Sequence, residues 1–171
     1  PKTSQFENDF AEYIGMPFSL TVNSATAGLH LALDAVGVSK GDKVIVPTYT
    51  FTATAEVVRY FDADPIFCDI DPKTYLIDVK MLEELIIKHK PKAMMPVHFA
   101  GQACDMTSIM KLGQKYNVKV IEDAAHSLPT THNGKLIGTI GDITVFSFYA
   151  TKTITTGEGG MIVTRNEEYD K

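Results

Sequence analysis

The chain has 171 residues, of which 44% are hydrophobic and 22% charged, and its formal net charge is −5. These values are typical of a soluble globular domain with a substantial buried core. The acidic balance argues against a nucleic-acid-binding protein, which would carry a clustered basic face. No apolar run is long enough to cross a membrane. The two cysteines, Cys68 and Cys104, lack the spacing of a zinc site or a disulfide framework, so we expect no metal and a reducing, cytoplasmic environment.

Seven short apolar or β-branched runs predict strands, and stretches with helical periodicity separate most of them. The predicted strands cover residues 19–22, 44–47, 65–69, 93–99, 118–122, 144–148 and 161–164. Alternating strands and helices predict a three-layer α/β/α fold with a mostly parallel, seven-stranded sheet. Only a loop without helical pattern separates the last two runs, so we expect the last strand to be antiparallel.

Apolar residues recur at helical spacing in three internal segments, 25–36, 81–86 and 109–116. Residues 4–13 also have a helical pattern, and residues 165–171 are typical of a helix that is just beginning. Because both ends fall within helical patterns, we expect the chain to be part of a longer protein.

In an open α/β sheet, ligands bind beyond the carboxyl ends of the strands. After the first strand, residues 23–28 (NSATAG) begin a helix with small residues, as an anion site at a helix N-terminus requires. The segment matches neither a dinucleotide fingerprint nor a P-loop. Taken alone, it is better explained as an ordinary Asn or Ser helix cap.

The loops after the second and fourth strands carry aromatic and polar residues. Tyr49 and Phe51 lie among hydroxyl residues, and one of them could stack on a planar ring, although Phe51 could instead be a core residue of the next helix. His98 and Gln102 could reach a substrate. For His98 we favour a structural role, with its side chain bonded to a loop carbonyl.

The fifth and sixth strands end in the residues with the clearest chemical roles. Asp123 emerges from an apolar strand and could pair with a protonated heterocyclic nitrogen, while His126 could brace it or lie against a ring. Ser147 ends the sixth strand and could donate to a phosphate. Lys152 follows in a polar loop before a Gly-Glu-Gly-Gly turn, where a nucleophilic amine could reach a carbonyl.

These residues together match the parts of pyridoxal 5′-phosphate (PLP). A phosphate site, an aromatic ring, an acid for the pyridine nitrogen and a lysine for the aldehyde would meet at one edge of the sheet. No other common cofactor needs all four groups.

The motifs also resemble those of a known family, the DegT/DnrJ/EryC1/StrS sugar aminotransferases, which are fold-type I PLP enzymes. The resemblance covers nearly the whole chain. It is carried by residues 23–33 (NSATAGLHLAL), 46–51 (VPTYTF), 96–101 (PVHFAG), 122–126 (EDAAH) and 146–160 (FSFYATKTITTGEGG).

The resemblance implies a role for each matching residue. Lys152 would form the Schiff base with PLP and move protons, with a depressed pKa, and Asp123 would keep the pyridine nitrogen protonated. Phe51 would lie on the ring face and His126 near the ring. The remaining cofactor contacts would come from Ala25, Thr26 and Ser147, which would bind the phosphate. A histidine replaces the lysine in the dehydratase branch of the family, so that branch is disfavoured.

The resemblance also implies substrates and an assembly. Glutamate would donate the amino group, leaving 2-oxoglutarate, and a nucleotide-linked keto-sugar would accept it. The motifs at residues 24–28 and 96–102 are closer to members that act on UDP-linked 4-keto sugars. Residues 1–171 would form the PLP-binding large domain, without the N-terminal lead-in and the C-terminal small domain of the family. Members of the family are homodimers.

Three alternatives remain. The chain could belong to a PLP enzyme that acts on a cyclitol or a cyclic keto-acid precursor. It could be a non-catalytic domain that has kept the fold, but such a domain is expected to lose Lys152 or Asp123, and both are present. A nicotinamide-dependent dehydrogenase is weaker still, because its glycine fingerprint is missing.

Overall fold

The computed structural model describes residues 1–169, and the elements below are those of this range. The α-helices are Lys2–Ile14 (α1), Ala25–Ala35 (α2), Ala53–Arg59 (α3), Val79–His89 (α4) and Met106–Tyr116 (α5). The strands are Phe18–Val22 (β1), Lys43–Pro47 (β2), Asp64–Cys68 (β3), Ala93–Met94 (β4), Lys119–Asp123 (β5), Thr131–His132 (β6), Lys135–Leu136 (β7), Ile143–Ser147 (β8) and Gly160–Thr164 (β9).

Seven of these strands form one sheet in the order β1-β9-β8-β5-β4-β2-β3. Strand β9 runs antiparallel to both of its neighbours, β1 and β8, and the other pairs in the sheet are parallel. The predicted mostly parallel, seven-stranded sheet with an antiparallel last strand is therefore confirmed.

Helices cover both faces of the sheet and bury two apolar clusters against it. One cluster packs α1, α4 and α5 on one face and includes Phe10, Leu82 and Ile109. The other packs α2 and α3 on the opposite face and includes Leu33 and Val57. This is the predicted three-layer arrangement, and it directs alternate residues of each central strand into opposite layers.

The helices begin and end where their sequences favour it. Ser24 and Asp105 cap α2 and α5, each accepting a hydrogen bond from a backbone N–H three residues on. Asn117 ends α5 in the left-handed conformation, which Asn adopts more readily than most residues.

The fourth predicted strand, residues 93–99, is shorter in the structure. Regular pairing ends at Met94, and residues 99–101 form a 3₁₀ turn. Pro96 has no N–H to donate to a ladder, although its carbonyl still accepts from the N–H of Asp123 at 2.9 Å. Residues 96–98 still run beside β5, through an isolated parallel bridge between Val97 and Asp123, before the chain turns.

Two other regions differ from the prediction. The short hairpin of β6 and β7 was not predicted, because each of its strands has only two residues. At the C-terminal end, where a helix was expected over 165–171, residues 167–169 form a 3₁₀ turn, and residues 170 and 171 lie outside the described range.

Three general features of residues 1–169 bear on function. None of the helices in this range has the length and apolar character needed to cross a membrane. The same residues contain no group of three or more His, Cys, Asp or Glu side chains placed to hold a metal ion. Cys68 and Cys104 are both buried, and burial raises the pKa of each thiol to about 12.

Candidate active site

An open cavity of about 740 Å³ lies at the carboxyl ends of the parallel strands. Its wall is built from the segments that follow β1, β2, β4, β5 and β8 and from the turn that precedes β9. All seven predicted site residues line it: Ala25, Thr26, Phe51, Asp123, His126, Ser147 and Lys152. The structure thus brings together residues that are up to 127 positions apart in the chain, from Ala25 to Lys152.

Asp123 is the last residue of β5, and its side chain is only 5% exposed. The Thr54 hydroxyl donates to Oδ2 at 2.9 Å, and the Ala125 N–H donates to Oδ1 at 3.2 Å. Its backbone is held on both sides, because its carbonyl accepts from the N–H of His98 and its N–H donates to Pro96. The carboxylate is therefore fixed at the cavity wall.

Lys152 lies in the turn after β8, where its backbone N–H donates to the carbonyl of Tyr149 at 2.9 Å. Its pKa is lowered from the ordinary lysine value because partial burial disfavours the ammonium, and the negative charge of Asp123 partly opposes this effect. The direction is the one expected for a catalytic amine. A larger share of neutral, nucleophilic amine is present at a given pH than in a solvated lysine.

His126 sits at the exposed rim of the same cavity. Its Nδ1 accepts a hydrogen bond from the N–H of Ala100 at 3.3 Å, so the neutral ring carries its proton on Nε2. Partial desolvation lowers the pKa of His126, and the neighbouring charge of Lys152 lowers it further. The ring is therefore a neutral donor.

The N-terminus of α2 forms another part of the wall. The Ser24 hydroxyl accepts a hydrogen bond from the N–H of Ala27 at 3.1 Å. The N–H groups of Ala25 and Thr26 lie in the first turn of the helix, where the helix itself offers them no backbone acceptor. Gly160 allows the close approach of this turn to β9. A Cβ there would lie 2.9 Å from the Ala25 nitrogen and 2.8 Å from the Phe146 carbonyl oxygen.

The aromatic residues gather at the mouth of the cavity. Phe51 is 77% exposed, so the alternative that it belongs to the core is wrong. Tyr49 also lines the cavity and packs edge-on against Phe99, with the ring centroids 4.8 Å apart. Tyr75, from the loop after β3, lies 5.4 Å from Tyr49 between centroids. The open side of the cavity is thus rich in flat apolar surface.

His98 and Gln102 lie outside the cavity wall. His98 is fully buried, and its Nδ1 accepts from the N–H of Cys104 at 3.1 Å while its Nε2 lies 2.9 Å from Oε2 of Glu122. The structural role that we favoured for His98 is confirmed, although its side chain bonds an amide and a carboxylate instead of a carbonyl. Gln102 donates to the carbonyl of Thr74 at 2.8 Å.

Sequence reasoning missed several residues of this wall. Thr54 is fully buried beneath Asp123, and Thr50 lies 2.7 Å from it between hydroxyl oxygens. Tyr149, Thr151 and Glu158 also line the cavity. No local pattern marks these two threonines, because Thr50 lies before α3 and meets Thr54 only through the bend that leads into the helix.

Comparison with known proteins agrees with this architecture. The model of the DegT/DnrJ/EryC1/StrS aminotransferase family matches residues 1–171. The chain belongs to this family. It is 48% identical over 168 residues to the spore coat polysaccharide biosynthesis protein SpsC of Bacillus subtilis, which covers 98% of this chain and 43% of SpsC.

Two further relatives bear on function. GDP-perosamine synthase of Caulobacter vibrioides is 46% identical over 164 residues, covering 96% of this chain and 44% of that enzyme. Among solved structures, NtdA of Bacillus subtilis with bound cofactor PMP superposes with a TM-score of 0.92 at 36% identity, covering 100% of this chain and 38% of NtdA. The chain spans less than half the length of each of these relatives.

Proposed function

We propose that this chain is the PLP-binding large domain of a sugar aminotransferase that moves an amino group from glutamate to a nucleotide-linked keto-sugar. The observation that carries the proposal is the meeting of Lys152 and Asp123 at one cavity whose wall includes the N-terminus of α2. Amine, carboxylate and anion site are the three groups that the aldehyde, pyridine nitrogen and phosphate of PLP require.

The residues present fit this cofactor. Asp123 has one internal donor on each carboxylate oxygen, so lone pairs remain to accept from a pyridinium N–H. The first turn of α2, with the hydroxyls of Thr26 and Ser147, offers donors to a phosphate. Phe51 offers an exposed apolar face to a planar ring. The PMP-bound structure of NtdA supports the same assignment.

Each residue of the chain has a task in this account. When bound, PLP supplies an electron sink that makes the Cα–H of an amino donor acidic. Lys152 would hold the cofactor covalently and, once released, take the proton from Cα as a neutral amine. Asp123 would keep the ring nitrogen protonated. His126 would donate its Nε2–H to the ring substituents without adding positive charge.

The identity of the sugar is a finer question. The motifs around residues 24–28 and 96–102 favour a UDP-linked 4-keto sugar, while the similarity to GDP-perosamine synthase adds GDP-linked sugars to the candidates. A product used for surface polysaccharide is consistent with the similarity to SpsC. The whole protein would act as a homodimer. A panel of UDP- and GDP-linked keto-sugars, assayed for 2-oxoglutarate formation from glutamate, distinguishes these substrates.

Absorbance of the full-length protein with PLP tests the proposal. We expect a visible band that borohydride abolishes, that glutamate bleaches, and that the Lys152→Ala variant lacks. A wild-type protein without such a band would overturn the proposal. A band that glutamate leaves unchanged would rule out glutamate as the donor and leave the cofactor assignment intact.

A further inference from the structure

The buried hydroxyl of Thr54 contacts the carboxylate that the proposed function places against the cofactor. Thr54 lies in the first turn of α3, on a different element from Asp123, and its side chain is fully buried. Its Oγ1 lies 2.9 Å from Oδ2 of Asp123 and 2.7 Å from Oγ1 of Thr50. Both distances are those of strong hydrogen bonds between oxygens.

The direction of these two bonds follows from the number of hydrogens. An ionised carboxylate can only accept, so the single hydrogen of the Thr54 hydroxyl must point to Asp123. Thr54 then has only lone pairs to offer to Thr50, so the hydrogen of Thr50 points to Thr54. The two hydroxyls form a chain whose donors all run toward the carboxylate.

This chain of hydrogen bonds favours one orientation of the Asp123 carboxylate. Hydrogen bonds donated to a carboxylate are strong where the carboxylate is withdrawn from water. With the Ala125 N–H on the other oxygen, the plane of the carboxylate is set from two sides.

We propose that Thr54 is a positioning residue that holds the Asp123 carboxylate aimed at the cavity, and that Thr50 orients the Thr54 hydroxyl. This inference rests on the proposed function, because the group that Asp123 would face there is the ring nitrogen of PLP. Thr50 lines the cavity and is only partly exposed, so the hydroxyl chain reaches from the cavity wall to the buried side of the carboxylate.

The test uses the full-length protein and four variants. Thr54→Val removes the donor with little change in shape, Thr54→Ser restores it, and Thr50→Val removes only the outer hydroxyl. Thr164→Val is the matched control, because Thr164 is also buried and donates to a neutral carbonyl, that of Asp142, on a strand away from Asp123. The readouts are the dissociation constant of PLP and the thermal midpoint of the apoprotein.

We expect Thr54→Val to weaken PLP binding by roughly tenfold, in line with the loss of a charge-assisted hydrogen bond.

Thr54→Ser should recover most of the affinity, and Thr50→Val should show a smaller change in the same direction. If Thr54→Val does not fold, Thr50→Val still decides, because its side chain is not in the core. A Thr54→Val or Thr50→Val protein with the PLP affinity of the Thr164→Val control would overturn this inference and leave the proposed function intact. A wild-type protein that does not bind PLP would overturn the proposed function and this inference with it.

Discussion

Glu122 and Asp123 are adjacent carboxylates on β5, yet they face opposite layers of the fold and have different surroundings. Glu122 is fully buried, and it accepts from the Gly141 N–H at 2.7 Å, from the Thr144 hydroxyl at 2.8 Å and from His98 at 2.9 Å. Asp123 has one internal donor on each oxygen and opens onto the cavity.

The difference between the two carboxylates distinguishes a structural acid from a functional one. The three donors of Glu122 come from two segments, so this side chain fixes the 97–104 loop and the start of β8 to the end of β5. A fully buried acid with three internal donors stabilises the fold but is out of reach of a ligand. Asp123 keeps free lone pairs at the cavity, as a group that contacts a cofactor must.

The largest expected effect on activity follows from removing the amine of Lys152, which shares the cavity with Asp123. Lys152→Ala should lower the turnover of glutamate and a keto-sugar by at least ~10³-fold, because both the covalent attachment and the proton transfer are lost. Steady-state kinetics of the full-length protein measures this loss. Lys135→Ala, in the exposed hairpin, is the control and should keep wild-type turnover. A Lys152→Ala protein that retained a tenth of the activity would contradict the assignment.

The next effect is that of making Asp123 neutral. Asp123→Asn should reduce kcat by about 10²-fold, because an amide cannot hold the ring nitrogen protonated, while the thermal midpoint stays close to that of the wild type. Kinetics and differential scanning calorimetry on the same preparation separate the two quantities. A large fall in the thermal midpoint of this variant with kcat unchanged would contradict the functional role given to Asp123.

Replacing the Glu122 carboxylate by an amide should lower the stability of the fold and leave cofactor binding unaffected. In Glu122→Gln, the new amide N–H₂ would face the Nε2–H of His98, and one buried donor would be left without an acceptor. We expect the free energy of unfolding to fall by about 3 kcal/mol, with PLP affinity little changed. Urea denaturation monitored by circular dichroism gives the first quantity. Wild-type stability in this variant would show that the buried network is dispensable.

A smaller effect is expected from Gly160→Ala, which would crowd the first turn of α2. The added methyl would lie within 3 Å of the Ala25 nitrogen and the Phe146 oxygen, so the turn must shift, at a cost of about 2 kcal/mol in stability. PLP affinity should weaken as well, because the proposed phosphate donors move. Gly157→Ala is the comparison without crowding, because no atom lies within 4 Å of its added methyl, while its φ of +83° adds backbone strain that Gly160 does not have. Equal PLP affinities in the two variants would show that the first turn of α2 does not bind the phosphate.

The smallest effect concerns pH. Because the pKa of Lys152 is lowered in the folded protein, the unfolded chain binds more protons between that pKa and the ordinary value of 10.5, and stability rises with pH across this window. The apoprotein of Lys152→Ala lacks this dependence. It should therefore be more stable than the wild type at neutral pH, and the difference should shrink as pH approaches 10.5. Thermal melts across this range measure it, and a constant difference would contradict the lowered pKa.

The sequence was sufficient for the sheet and for the residues that end its strands. The runs around Val44, Val120 and Val145 are short, apolar and bounded by polar residues, so local pattern and tertiary structure agree. The rule that ligands bind beyond strand carboxyl ends then selected Asp123 and Lys152.

What could not be predicted depends on contacts between distant segments. Nothing local distinguishes Glu122 from Asp123, because only the neighbours supplied by the fold satisfy one acid and leave the other open. The bond from Thr54 to Asp123 spans 69 positions, and after Met94 the pairing of β4 is reduced to a single bridge between Val97 and Asp123. Such contacts are a property of the packed layers, which hydrophobic periodicity does not specify.

The most direct test of the account is to locate the covalent attachment of the cofactor. The full-length protein is incubated with PLP, reduced with borohydride, digested and mapped by mass spectrometry. We predict that the added pyridoxyl mass lies on the peptide containing Lys152, at that residue. Its presence on a different lysine, or on none, would contradict the claim that Lys152 and Asp123 serve one cofactor in this cavity.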